Sequence, residues 1–230
     1  KVTIDGVAAT IVTATAGSIS AKTPVGTAGA KSVVVTTVGG SAAKAAAFTY
    51  VSVPTIASVS PGAGPLVGGT TITITGANLA GGAVKVDGKA ATSVVATALS
   101  ISAKVPAGTA GAKNVVVTTV GGSATKTGAF AYVPLPTITG VSPSSGPMVG
   151  GTSITITGTN LAGAKVTIDG KAATGVVASA ASISATAPAG TVGAKGVVVT
   201  TVGGVATKAG AFTYVPVPTI ASVSPSSGPL

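Results

Sequence analysis

The chain has 230 residues, of which 13 are Lys and three are Asp, giving a net charge of +10 although only 7% of positions are charged. It contains no Cys, His or Trp, and no Arg, Glu or Gln. A disulfide scaffold is thereby excluded, and the usual nucleophile–base pairs have no His, Cys or Glu to draw on. The surface is left to Thr, Ser, backbone and scattered lysines, and no unbroken apolar run approaches the roughly 18 residues of a membrane-spanning helix.

An internal repeat governs the sequence. Pro-Thr-Ile occurs at Pro54, Pro136 and Pro218, a period of 82 residues without a gap. The same period relates Asp5, Asp87 and Asp169, then Phe48, Phe130 and Phe212, then Tyr50, Tyr132 and Tyr214. Residues 54–135 and 136–217 are identical at 60 of 82 positions. The expected organisation is a partial module at 1–53 (the C-terminal part), complete modules at 54–135 and 136–217, and the first strand of a further module at 218–230. The partial ends lead us to expect a longer parent protein. Docking of 218–230 into a neighbour's incomplete module is the disfavoured alternative, because 13 residues do not replace the 29 equivalent to 54–82.

Within 136–217 the predicted elements are strands. Ser153-Ile154-Thr155-Ile156-Thr157 alternates hydroxyl and apolar side chains, which puts both isoleucines on one face. Val166 and Ile168 alternate with Lys165 and Thr167 ahead of Asp169-Gly170, a dipeptide suited to a tight hairpin turn with positive φ. Ile183 and its neighbours alternate likewise, Val197 to Val202 is rich in β-branched residues, and Phe212 and Tyr214 share a face as the expected largest core side chains. About seven short strands with turn signals between them predict an all-β sandwich. Helix signals are absent. Between modules, Val133-Pro134-Leu135-Pro136 and Val215-Pro216-Val217-Pro218 carry alternating prolines, which predict a short, stiff, extended junction.

Pro136-Thr137-Ile138, Val141-Ser142-Pro143, Ser145-Gly146-Pro147, Gly150-Gly151-Thr152, Ile154-Thr155-Ile156-Thr157-Gly158-Thr159-Asn160-Leu161 and the closing Phe212-Thr213-Tyr214 together resemble the IPT/TIG family of immunoglobulin-like domains, and the signature recurs from Pro54 to Leu79. The resemblance implies an early-set immunoglobulin sandwich, known in plexin-type receptors, in transcription-factor dimerisation domains and in tandem on bacterial surface proteins. Near-identical, Cys-free, aromatic-poor modules look most like the bacterial arrays, which sets the expected location as extracellular or cell-surface. The fold alone implies no single activity.

Asp5, Asp87 and Asp169 each precede Gly and read as turn residues. One carboxylate per module falls short of the six to eight oxygens that calcium takes, so no metal or other cofactor is expected. Asn78 and Asn160 stand in the family's turn motif. Lys31, Lys113 and Lys195, with Lys44, Lys126 and Lys208, are candidate contacts for a polyanion such as an acidic glycan or another cell-surface polymer. The competing reading of these lysines is protection of strand edges against aggregation. Without Arg or stacking aromatics, specific nucleic-acid recognition is not expected. The leading expectation is a non-enzymatic structural region, a rigid spacer, filament-forming element or adhesive stalk whose partners are neighbouring modules or copies of the same chain. A multivalent polyanion-binding array is the alternative.

Overall fold

The computed structural model describes residues 1–228; the side chain of Val12 also lies outside the described set. Strands are the only regular elements among the described residues. The chain separates into two compact units, one comprising Lys1–Ser60, Ile72–Ala103 and Asn114–Thr127, the other Pro61–Thr71, Lys104–Lys113 and Gly128 to the end. Their boundary passes through the 54–135 repeat, whereas the 136–217 repeat lies wholly in the second unit and shows the module undivided.

That repeat is a sandwich of two sheets. One orders the strands Thr137–Ser142, Ser153–Thr159, Ser182–Thr186 and Thr174–Ala178; the other orders Ser145–Pro147, Gly204–Val215, Gly193–Thr201, Lys165–Ile168 and Lys171–Ala172. The alternation of side chains follows the expected period of two: Ile154 and Ile156 are buried while Ser153, Thr155 and Thr157 are exposed. Ile154, Ile156, Leu161, Ile168, Ile183 and Val197 pack with Phe212 and Tyr214 in one core. The two rings meet edge to face, with centroids 5.1 Å apart and an interplanar angle of 78°. Among the described residues no polar side chain is buried, so each sandwich rests on apolar packing, at about 1.5–3 kcal/mol for each fully buried large aliphatic or aromatic side chain.

Nine strand segments appear in the repeat rather than about seven. The additions are short. Ser145–Pro147 joins the sheet edge in parallel with Thr213–Val215, and Lys171–Ala172 closes the Asp169-Gly170 hairpin by pairing Ile168 with Lys171.

In the first unit, strands Val7–Ala8, Val2–Ile4, Gly29–Thr37 and Gly40–Tyr50 form one sheet, and Thr10–Ala14 with Ile19–Lys22 form a separate two-stranded ribbon. Residues 1–53 hold no counterpart of strand Ser153–Thr159, which in the undivided repeat covers Ile183. Ile19, the equivalent of Ile183, is accordingly 39% exposed where Ile183 is fully buried. At the other end, residues 216–228 contain no strand. In the complete repeat the first strand is held by pairing with Ser153–Thr159.

Candidate functional site

The recurring Asp-Gly pairs occupy the turns the sequence assigns them. Asp169 has φ 54° and Gly170 φ 78°, and the pairs at Asp5 and Asp87 repeat these values within a few degrees. Register then decides what each Asp can touch. Strand Lys165–Ile168 pairs with Gly193–Thr201 so that Ile168 lies opposite Val197. The turn is thus brought alongside Gly196 and Lys195: the Asp169 amide donates to the Gly196 carbonyl at 3.1 Å, and Lys195 Nζ forms an ion pair with Asp169 Oδ2 at 3.2 Å. The same arrangement joins Lys31 Nζ to Asp5 Oδ2 at 3.0 Å.

The six candidate lysines fall into two groups. Lys31 and Lys195 are ion-paired, with side chains only 15% and 19% exposed. Lys31 and Lys113 each also donate to a threonine hydroxyl four residues earlier, Thr27 and Thr109, at 2.9 Å. Lys44, Lys126 and Lys208 lie on the long final strand of each sandwich; Lys208 stands opposite the buried Val197 and Lys44 opposite Val33. Opposed residues in an antiparallel pair share a face, so these lysines carry a charge on the inward side of the strand, a device that discourages edge-to-edge pairing.

In the 136–217 repeat all four lysines and Asp169 belong to the sheet that contains Gly204–Val215 or to its turn. The other sheet carries no charge. Its outer face is a field of hydroxyls, with Thr137 Oγ1 2.8 Å from Thr159 Oγ1 and Thr139 Oγ1 3.0 Å from Thr157 Oγ1.

No group of three potential metal-ligating His, Cys, Asp or Glu side chains occurs among the described residues, and no helix among them is long and apolar enough to cross a membrane. A depression in the first unit, lined by Gly82, Val84, Lys85, Ala91, Val94 and Ala96, presents mainly methyl groups and one ammonium. That lining offers no nucleophile beside a base.

The polar contacts that sequence reasoning passed over lie at the junctions. Asn160, in the left-handed conformation at φ 55°, donates from Nδ2 to the Leu135 carbonyl at 2.9 Å. Asn78, at φ 58°, donates to the Val53 carbonyl at 3.0 Å. Both acceptors sit immediately before the proline that opens a repeat. The signal was present as an Asn recurring at the 82-residue period.

With the sandwich, its turns and its repeat in view, the sequence profile of the IPT/TIG domain matches residues 54–132 and 136–214. The chain belongs to the IPT/TIG domain family. Among solved structures it is similar to the plexin A4 full extracellular region, with a TM-score of 0.48 and 26% identity over 70% of this chain and 18% of that one. It is also similar to SGBP-B from a complex xyloglucan utilization locus in Bacteroides uniformis, with a TM-score of 0.34 and 24% identity over 70% of this chain and 49% of that one. The IPT/TIG repeats thus span less than half the length of either protein. Both matched IPT/TIG modules are immunoglobulin-like, and they stand in tandem.

Proposed function

We propose that this chain is a structural repeat region of an extracellular surface protein, in which IPT/TIG sandwiches act as stiff spacers or as the subunits of a fibre, without a catalytic step. The observation that carries the reading is the tethering of the linkers that precede the two complete repeats, through Asn78 to Val53 and Asn160 to Leu135. Pro134 and Pro136 already restrict φ in the second of these linkers, and a side-chain hydrogen bond to the last carbonyl before the repeat restricts both further. Near-identity of the two complete repeats supports the same reading, since length grows by adding copies of one unit. A surface location is inferred from the resemblance to tandem bacterial surface arrays. Electron microscopy of the native assembly tests the proposal. Thin rods one sandwich wide, with a regular axial repeat, are expected of a single-chain spacer. Thicker helical filaments assign polymerisation of copies as the role, and beads on a slack string overturn both.

Segregation of the lysines onto one sheet favours a second reading, a multivalent array for an acidic surface polymer through Lys44, Lys126 and Lys208 and, less accessibly, Lys31, Lys113 and Lys195. Retention on a polyuronate matrix that collapses as salt rises supports it, because exposed charges are screened beyond about 8–10 Å at physiological salt. Retention that ignores salt counts against it.

A further inference from the structure

We infer that the first glycine of the turns Val120-Gly121-Gly122 and Val202-Gly203-Gly204 forms a docking notch for the backbone of the preceding linker. Gly121 and Gly203, with Asn78 and Asn160, thus set the geometry of the junctions. The inference rests on the spacer reading and names the residues that stiffen it.

The steric observation is direct. A Cβ added to Gly203 overlaps the Pro134 carbonyl oxygen and lies 2.8 Å from the Pro134 carbonyl carbon and 3.0 Å from the Val133 oxygen. At Gly121 it overlaps the Ser52 oxygen and lies 2.8 Å from the Ser52 carbon and 3.0 Å from the Val51 oxygen. These obstacles are backbone atoms and have no rotamer to escape into. The turn itself does not call for glycine there. Its second glycines, Gly122 and Gly204, hold φ of 132° and 134°, but Gly121 and Gly203 are not among the glycines of positive φ.

The notch and the asparagine grip successive carbonyls: Pro134 at Gly203 and Leu135 at Asn160, Ser52 at Gly121 and Val53 at Asn78. Recognition falls on backbone, so the change from Ser52-Val53 to Pro134-Leu135 leaves the contacts in place. The partner that fits is an extended segment ending in proline. Its restricted φ lowers the entropy lost on docking.

The chain has no cysteine, so labels attached after Val95→Cys and Val177→Cys, two exposed strand positions, report the distance across the second junction by pulsed electron spin resonance. Gly203→Ala closes the notch with an ordinary φ, and Asn160→Gly removes the hydrogen bond while keeping the left-handed backbone. Far-UV circular dichroism and the melting temperature check folding, and Gly196→Ala, whose added Cβ meets nothing nearer than the Lys208 carbonyl oxygen at 3.9 Å, is the control. The expected result is one narrow distance population in the parent and in Gly196→Ala, lost to a broad distribution in both junction variants. If Gly203→Ala fails to fold, Asn160→Gly decides alone. A narrow population that survives the junction variants overturns the notch and leaves the spacer reading standing. A broad population in the parent overturns both.

Discussion

The Tyr214 hydroxyl donates to the Pro188 carbonyl at 2.6 Å, tying the last strand of the sandwich to the loop that leads into strand Gly193–Thr201. Tyr132 makes the same bond to Pro106 at 2.6 Å, and Tyr50 bonds Pro24 in the same way. The ring fills the core and its polar tip holds a loop.

Removing the hydroxyl separates those two contributions. Tyr214→Phe keeps the ring against Phe212 but leaves the Pro188 carbonyl without this donor, and is expected to cost about 0.5–1.5 kcal/mol. Phe212→Ala also opens a cavity and is expected to cost about 3–5 kcal/mol. Denaturant midpoints at constant m-value measure both; equal losses would contradict the division of labour.

Alkali is expected to destabilise the second unit. Burial, and then the charge of Asp169, raise the pKa of Tyr214 above its ordinary 10.0. The folded state therefore favours the neutral phenol. This contribution is fully present below about pH 10, the unfolded value, and is lost as pH rises through the higher folded value. Thermal unfolding followed from pH 8 to 12 should show the melting temperature falling above about pH 10, with a smaller fall in Tyr214→Phe. An identical fall in the two proteins refutes the assignment to Tyr214.

At the hairpin, backbone conformation and charge are separable. Asp169→Asn retains a residue tolerant of φ 54° and loses only the half-exposed ion pair to Lys195, an expected change of about 0–1 kcal/mol. Asp169→Ala forces an ordinary residue into the left-handed region and should cost roughly 1–2 kcal/mol. Chemical denaturation ranks them. Equal losses for Asn and Ala would mean that the ion pair, which both remove, dominates.

The parts of the fold legible from sequence were those set by local alternation and by the repeat: the strand Ser153–Thr159, the Asp169-Gly170 turn, and the burial of Phe212 and Tyr214. Ser145-Gly146-Pro147 carries no alternation that marks a strand, and its Pro lacks an amide donor, yet it forms a parallel edge strand, a place where that lack is tolerated. Lys31 and Lys195 read as open cations because nothing local reveals the sheet register that puts Asp5 and Asp169 beside them. Nothing local in the sequence distinguishes Gly121 and Gly203 from ordinary glycines, because the carbonyls that crowd them, those of Ser52 and Pro134, lie far earlier in the chain.

The central claim, that these repeats act as stiff spacers, is tested most directly by small-angle X-ray scattering on chains with two, four and six complete repeats. The account predicts a maximum dimension that grows by the same increment for every 82-residue repeat added. Growth closer to the square root of repeat number, as for domains on flexible linkers, would contradict it.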